Sequence, residues 1–128
     1  MGAQTVKSYQ DLEVWQVAMN VAEQYYRLTT SFPKEELFGL TAQIRRAGAS
    51  VAANIAEGYG RESRREYIQF LRIAQGSLKE LETYLLLSVR VGIAKEGKVF
   101  PILSECERVS KMLHRLIRSL QNATLKNP

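Results

Sequence analysis

Apolar residues recur along this chain at alternating steps of three and four, the spacing that lines one face of an α-helix. No segment shows a convincing alternation of apolar and polar residues, which would indicate a half-buried strand. The pattern therefore predicts an all-α protein. The predicted helices run from Asp11 to Thr30, from Pro33 to Gly58, from Ser63 to just before Gly92, and from a start between Lys95 and Val99 to about Asn122.

The first predicted helix carries two apolar stripes. The first stripe keeps the helical spacing for the whole segment, and we interpret it as the core stripe. The second makes the helix apolar over more of its circumference than a single packing face needs, so part of it is expected to contact another subunit. The first stripe is Leu12, Trp15, Met19, Ala22 and Tyr26, and the second is Val14, Val17, Val21, Tyr25 and Leu28.

Each of the other three helices carries one predicted core line. The fourth shows strict heptad spacing, which is typical of long packed helices. The lines are Leu37, Leu40, Ile44, Ala47, Val51 and Ile55 in helix two; Tyr67, Leu71, Ala74, Leu78, Leu81 and Leu85 in helix three; and Val99, Ile102, Cys106, Val109, Leu113, Leu116 and Leu120 in helix four.

Local signals place the helix ends. Pro33 is acceptable in a first helical turn, and the glycines of residues 58–60 are expected to end helix two in the left-handed conformation. Ser63 and Glu66 have the spacing of a capping box, in which two side chains satisfy free backbone amides. Pro101 is expected within the first turns of helix four, because an interior proline costs about 3 kcal/mol.

Four long helices joined by loops of about four to eight residues predict an antiparallel up-down four-helix bundle, since short connections place consecutive helices side by side. The 128 residues form one predicted domain. Its core is expected to span about residues 9–121, with frayed or disordered tails at residues 1–8 and 122–128.

Composition narrows the class of protein. Eighteen Lys and Arg against thirteen Asp and Glu give a formal net charge of +5, which favours an acidic partner such as nucleic acid or an acidic protein surface. The single cysteine excludes an internal disulfide. The opening residues MGAQTVKSYQ lack a signal-peptide pattern, and no apolar run approaches the ~20 residues that cross a bilayer. We therefore expect a cytoplasmic protein without membrane contact.

The search for catalytic, cofactor or metal sites is negative. A di-metal bundle needs Glu three residues before each histidine ligand, but the single His114 has Lys111 there. Cys106 occupies a predicted core position, which indicates a structural thiol. The GYGRES segment follows a helix rather than a strand, so it is not a phosphate-binding loop. The sequence predicts a protein that is not an enzyme and binds no cofactor or metal.

A polar line follows the helical spacing along the otherwise aliphatic helix two. Glu57 and Asn54 could serve there as an acid or base and an orienting group. The alternative is a hydrogen-bond network that fixes the register of the helices, and we favour it because no nucleophile or second carboxylate accompanies the pair. The line is Gln43, Arg46, Ser50, Asn54, Glu57 and Arg61.

Basic residues concentrate at both ends of the Leu40–Arg65 segment, whose alanines and glycines permit close helix packing. A stripe then continues along helix three for about 20 Å, through Arg65, Gln69, Arg72, Gly76 and Lys79. The alternative is a solvated surface partly neutralised by nearby glutamates. The candidate nucleic-acid-binding residues are Arg45, Arg46, Arg61, Arg64, Arg65, Arg72 and Lys79.

Three long runs together indicate a family: DLEVWQVAMNVAEQYYRLTTSFP, GLTAQIRRAGASVAANIAEGYGRES and EYIQFLRIAQGSLKELETYLLLSVRVG. In this order they closely resemble the bacterial four-helix-bundle family first known from open reading frames within intervening sequences of 23S ribosomal RNA genes. The resemblance covers about residues 9–121. It implies an antiparallel bundle that assembles as a homopentamer, with no established enzyme activity.

The family is more distantly similar to the accessory protein of diversity-generating retroelements, a basic pentameric barrel that binds a reverse transcriptase and nucleic acid. Two hypotheses follow. The first is a non-catalytic, oligomeric RNA- or DNA-binding protein whose arginines contact phosphates. The second is a protein-interaction scaffold that docks a partner such as a reverse transcriptase or an RNA-processing enzyme.

Overall fold

The structure, a computed structural model, describes residues 5–126 and contains no strand within that range. Its helices are α1 (Glu13–Thr30), α2 (Leu40–Tyr59), α3 (Arg64–Arg90) and α4 (Glu96–Lys126), with short 3-10 turns at Tyr9–Asp11 and Lys34–Glu36. The prediction of an all-α protein with four helices is confirmed.

The helices pack around one shared core. α2 contacts α1 and α3, and α4 contacts α3 and α1, whereas the described residues form no close backbone contact between α1 and α3 or between α2 and α4. Helix α3, which carries the predicted basic stripe, therefore packs between α2 and α4.

No helix in the described part of the chain is long and apolar enough to span a bilayer.

The core lines of α3 and α4 are largely confirmed. Leu71, Ala74, Leu78, Leu81 and Leu85 of α3 are at most 1% exposed. In α4 the predicted line is buried as far as Leu113. Beyond that point Ile117 takes the core position, and the predicted Leu116 is only partly buried.

The assignment of the core stripe in α1 was wrong. The buried stripe is the second one, with Val14, Val17 and Val21 at most 5% exposed and Tyr25 packed against α2. Met19 and Tyr26 of the first stripe are 38% and 48% exposed. Both stripes have helical spacing, so periodicity alone does not tell which one faces α2 and α4.

The predicted start of α2 at Pro33 was also wrong, because the helix begins at Leu40. Residues Lys34–Glu36 form a separate 3-10 turn. The Glu36 carboxylate accepts a hydrogen bond from the Leu40 amide at 3.0 Å, which satisfies one of the free donors at the start of α2. Leu37 precedes this start and is 51% exposed, so it does not belong to the core line.

The end of α2 is predicted at nearly the right place but for the wrong reason. Gly60 has a φ of −78°, a right-handed conformation, and Gly58 lies inside the helix. A Cβ added at Gly58 would lie 2.9 Å from Phe70 Cβ, so this glycine allows α2 and α3 to approach closely. Among the described residues, only Gly92 after α3 has a positive φ, of 79°.

The predicted ends of α3 and the start of α4 are confirmed. Ser63 accepts a hydrogen bond from the Glu66 amide at 3.1 Å, and α4 begins at Glu96 with Pro101 in its early turns. The other end of α4 extends to Lys126, past the predicted fraying point after Asn122. Residues 1–4 and 127–128 of the predicted tails lie outside the described residues.

Candidate nucleic-acid interface

The polar line of α2 forms hydrogen bonds along the contact with α3. The Ser50 and Ser77 hydroxyl oxygens lie 2.8 Å apart across the two helices. Asn54 Nδ2 donates to the Ser50 carbonyl at 2.8 Å and to the Ser50 hydroxyl at 2.9 Å. These contacts confirm the interpretation of the line as a hydrogen-bond network, in which the Asn54 amide nitrogen and the Ser50 hydroxyl are both engaged.

Two candidate arginines belong to the same line and are held by ion pairs. Arg46 donates to Gln43 and forms a 3.0 Å ion pair with Glu80 of α3. Arg61 forms a 2.7 Å ion pair with Glu57. Both side chains keep solvent contact, but each is restrained by a contact besides its ion pair, Arg46 by Gln43 and Arg61 by the Phe70 ring.

Aromatic contacts further restrain the arginines near α2. The Arg61 guanidinium lies 4.7 Å from the centre of the Phe70 ring. Arg45 lies 4.5 Å from the Tyr26 ring centre, and its Nε donates to the Thr29 hydroxyl at 2.9 Å. Cation–π contacts of this kind favour one guanidinium position. Arg45, Arg46 and Arg61 therefore contribute to packing between helices.

The candidates on α3 are exposed. Arg64 and Arg65, in its first turn, form no ion pair with any described residue. Arg72 makes only a long 3.4 Å hydrogen bond to Gln75, and Lys79 pairs with Glu82 at 3.2 Å. The seven predicted residues thus form two groups: three restrained arginines near α2 and four exposed cations on α3.

Further basic residues lie on α4, and the sequence reasoning missed them. A shallow groove of about 430 Å³ separates α3 from α4 and is lined by Gln75, Ser110, Lys111, His114 and Arg115. The signal was present in the sequence, because cations recur on α4 away from the heptad core line. Below, the term basic face denotes the exposed cations on both sides of this groove: Arg64, Arg65, Arg72, Lys79, Lys111, Arg115 and Arg118.

The cations on α4 differ in their pairing. Lys111 lies 3.4 Å from Glu107, in an exposed ion pair within one helix. Arg115 and Arg118 form no ion pair with another described residue. Exposed ion pairs contribute about 0–1 kcal/mol, so the Lys111 pair can exchange its partner at little cost.

The tyrosines near the start of α3 pack against each other. Tyr59 and Tyr67 are partly buried, with ring centres 6.2 Å apart in an edge-to-face arrangement. Burial, with a smaller effect of Tyr59, raises the pKa of Tyr67 to about 12. The two rings therefore pack against each other, and each is only partly open to solvent.

Cys106 lies in the core, as its heptad position predicts. Burial is the main cause that raises its pKa to about 12, followed by the nearby charge of Glu82. At neutral pH the thiol is therefore protonated and shielded from reagents. The described residues contain no cluster of His, Cys, Asp and Glu able to hold a metal ion.

Large apolar side chains are exposed around the α1–α2 loop, the end of α3 and the start of α4. Phe38 in the loop is 89% exposed, and Leu87 and Val91 at the end of α3 are 42% and 55% exposed. Phe100 on α4 is 49% exposed. Residues of this size on the surface often mark contacts with another protein when they form a patch.

The fold and these side chains define a class: an all-α protein of four helices with a basic surface on α3 and α4. Within that class, the chain belongs to the 23S rRNA-intervening sequence protein family, whose sequence profile matches residues 10–115. The match confirms the family resemblance carried by the three sequence runs.

A solved structure supports the same grouping. The chain is similar to a protein of unknown function from the S23 ribosomal protein family of Bacteroides thetaiotaomicron VPI-5482, with a TM-score of 0.76 and 27% sequence identity. The similarity covers 82% of this chain and 95% of that chain. Comparison with curated protein sequences gives no match.

Proposed function

We propose that this protein is a non-catalytic nucleic-acid-binding protein that contacts phosphates through its basic face. One observation carries the proposal: Arg64, Arg65, Arg72, Arg115 and Arg118 are exposed and form no ion pair with a described residue. Unpaired cations bind a polyanion without first losing a carboxylate partner. Their binding also releases the counterions that surround nucleic acid, which is the main source of sequence-independent affinity.

The net charge of +5 and the family membership support this function. The family is described by its link to intervening sequences of 23S rRNA, and the solved relative is placed in a ribosomal protein family. The proposal therefore takes RNA as the first polyanion to test. It gives the restrained Arg45, Arg46 and Arg61 a structural role and assigns binding to α3 and α4.

We also propose that the four helices follow the antiparallel up-down order. The pairing of side chains supports it, because Arg46 of α2 reaches Glu80 of α3 while Gly58, later in α2, meets Phe70, earlier in α3. Glu13, at the start of α1, pairs with Arg108, well along α4. This order makes α3 and α4 neighbours with their cations on the same side.

Fluorescence anisotropy with labelled 23S rRNA fragments tests the function. Affinity is measured at about 50 and 200 mM salt for the wild type and for a triple variant, Arg64→Gln, Arg65→Gln and Arg72→Gln. Removing the cation that neutralises one phosphate lowers the slope of log affinity against log salt by about 0.7–0.9. The control is Arg27→Gln, since Arg27 lies on α1 and pairs with Glu23.

The expected result is tight binding at low salt, a shallower salt slope for the triple variant and no change for the control. Circular dichroism at 222 nm checks that each variant remains folded. Absence of binding at low salt, or equal slopes for the wild type and the triple variant, contradicts the proposal.

The second candidate function is an oligomeric scaffold that docks a protein such as a reverse transcriptase. The exposed apolar residues around Phe38 favour a protein contact. The outer stripe of α1, in which Met19 and Tyr26 are exposed and Trp15 and Ala22 are partly buried, favours self-association, and we propose a homopentamer on the basis of the family resemblance. This stripe, rather than the buried one, is the surface available to another subunit.

Light scattering coupled to gel filtration tests the oligomer. Met19→Glu places a charge in the outer stripe and is expected to reduce the particle mass at micromolar concentration. Asn20→Glu adds the same charge at the next exposed position of α1, outside the stripe, and is expected to leave the mass unchanged. A monomeric wild type at micromolar concentration refutes the pentamer.

A further inference from the structure

The basic face has a regular geometry that indicates the form of nucleic acid it suits. Arg65, Arg72 and Lys79 on α3 are seven residues apart, as are Lys111 and Arg118 on α4. Seven residues correspond to about 10.5 Å along a helix, nearly two full turns. Each helix therefore carries a row of exposed cations that keeps to one side of its surface.

The two rows lie on either side of one groove. Arg72 contacts Gln75, and Gln75 lines the groove together with Lys111. Arg65 and Lys79 each lie seven residues from Arg72, and Arg118 lies seven residues from Lys111. Each therefore projects from the same side of its helix as the member of its row beside the groove. Packed helices have axes about 8–10 Å apart, so the separation of the rows is similar to the spacing within each row.

The described residues offer no Phe, Tyr or Trp side chain between these rows. The stripe positions between the cations of α3 are Gln69 and Gly76, and the groove itself is lined by Gln75 of α3 and by Ser110 and His114 of α4. Tyr59 and Tyr67 are packed against each other at the start of α3. The exposed Phe100 precedes Lys111 by 11 residues, or about 16 Å along α4.

The lack of a large stacking surface favours the binding of duplexes over the binding of single strands. Proteins that bind single strands stack bases on aromatic side chains, a contribution of about 1–3 kcal/mol per base. A single strand on the basic face leaves its bases without such contacts, whereas a duplex keeps its bases stacked internally. A duplex also concentrates charge, about one phosphate per 1.7 Å of axis in DNA, so the ~21 Å from Arg65 to Lys79 spans a length of duplex that carries about 12 phosphates, of which those on the near side face the protein.

We propose that the basic face binds the sugar-phosphate backbone of double-helical nucleic acid in preference to single strands, using cations from both α3 and α4. The inference rests on the proposed nucleic-acid-binding function and specifies its ligand. Recognition is through phosphates alone, so it is independent of base sequence. RNA and DNA duplexes both present two paired sugar-phosphate strands, so the proposal applies to either kind of duplex.

Fluorescence anisotropy tests the preference for duplexes with four probes of one sequence about 20 nucleotides long. The probes are duplex RNA, duplex DNA, single-stranded RNA and single-stranded DNA, each measured at about 50 and 200 mM salt. Both duplexes are expected to bind at least tenfold more tightly than their single strands. A preference for one duplex identifies RNA or DNA as the source of the backbone, and both outcomes support the proposal.

Single variants test the contribution of each helix. Arg72→Gln on α3 and Arg118→Gln on α4 are each expected to lower the duplex salt slope by about 0.9 for a DNA duplex, with additive reduction in the double variant. Arg27→Gln again serves as the matched control. His114→Ala, which removes the remaining ring from the groove, is expected to leave the preference for duplexes unchanged.

The results separate this inference from the function on which it rests. Equal or tighter binding of single strands overturns the duplex preference and leaves nucleic-acid binding intact. A full effect of Arg72→Gln without any effect of Arg118→Gln overturns the two-helix face. Failure of all four probes to bind at low salt overturns both proposals.

Discussion

The contact between Gly48 of α2 and Tyr25 of α1 makes the sharpest prediction about stability. A Cβ added at Gly48 would lie 2.1 Å from Tyr25 Cε2 and 2.3 Å from its Cζ. Tyr25 is only 1% exposed, so its ring is enclosed by packed side chains and cannot turn out into solvent. Gly48→Ala therefore forces the two helices apart or moves the ring out of its rotamer.

The size of the effect follows from two opposing terms. Carbon atoms in contact normally lie about 3.5–4.0 Å apart, so the overlap is at least about 1.4 Å. Overpacking costs about 1–3 kcal/mol, and this overlap places Gly48→Ala near the upper value. Alanine regains about 1 kcal/mol through its higher helix propensity, so the expected net loss of unfolding free energy is about 2 kcal/mol.

Gly76→Ala provides a matched control on α3. It is the same substitution inside a helix, but a Cβ at Gly76 meets no atom within 4 Å. Only the propensity term remains, so Gly76→Ala is expected to raise the unfolding free energy by about 0.5–1 kcal/mol. The two variants should therefore differ by about 3 kcal/mol.

Urea unfolding followed by circular dichroism at 222 nm measures both variants, at two protein concentrations so that any oligomer dissociation is accounted for. A double-mutant cycle locates the cause, because Tyr25→Leu should cost less in the Gly48→Ala protein than in the wild type. Equal stability of the Gly48→Ala and Gly76→Ala proteins would contradict the predicted clash with Tyr25.

Three further predictions concern buried and capping groups. The Tyr25 hydroxyl is buried without a hydrogen-bond partner among the described residues, so Tyr25→Phe should raise the unfolding free energy by about 1 kcal/mol in urea titrations; a decrease of similar size contradicts this. Ser63→Ala removes the cap of α3 and should cost about 1 kcal/mol, measured against Ser119→Ala on the exposed side of α4. The pKa of Cys106 rises on folding from its ordinary 9.0 to about 12, so the folded state retains a proton that the unfolded state loses. The contribution of this thiol to the unfolding free energy should be fully present below pH 9 and should decline between pH 9 and 12, by at most about 1.4 kcal/mol per pH unit. Cys106→Ala should flatten that decline. The same dependence of unfolding free energy on pH in the variant and the wild type would contradict this role of Cys106.

Sequence patterns predicted α3 and α4 well because their signals are local and agree with one another. A single apolar line, a serine cap and a terminating glycine all indicate the same bounds for α3. In α1 two apolar lines compete, and the choice depends on where α2 and α4 lie. The start of α2 depends on the Glu36 carboxylate reaching the Leu40 amide, a contact that no propensity encodes.

The candidate interface was predicted only in part, for a related reason. Whether an arginine is available to a phosphate depends on its partners, and those of Arg46 and Arg45 lie on other helices, 34 and 16 residues away. The cations on α4 were missed because their adjacency to α3 arises only when the two helices pack. Spacing within one helix reveals a stripe but does not reveal the opposite wall of a groove.

The close joining of α2 and α3 has a consequence for how the chain folds. Ser50 and Ser77 meet across 27 residues, and Gly58 meets Phe70 just beyond the short turn, whereas the Glu13–Arg108 pair closes a span of 95 residues. Short spans lose less chain entropy when they close. The α2–α3 pair is therefore expected to form first in refolding and to retain its amide protons longest in hydrogen exchange, with α1 packing onto it later.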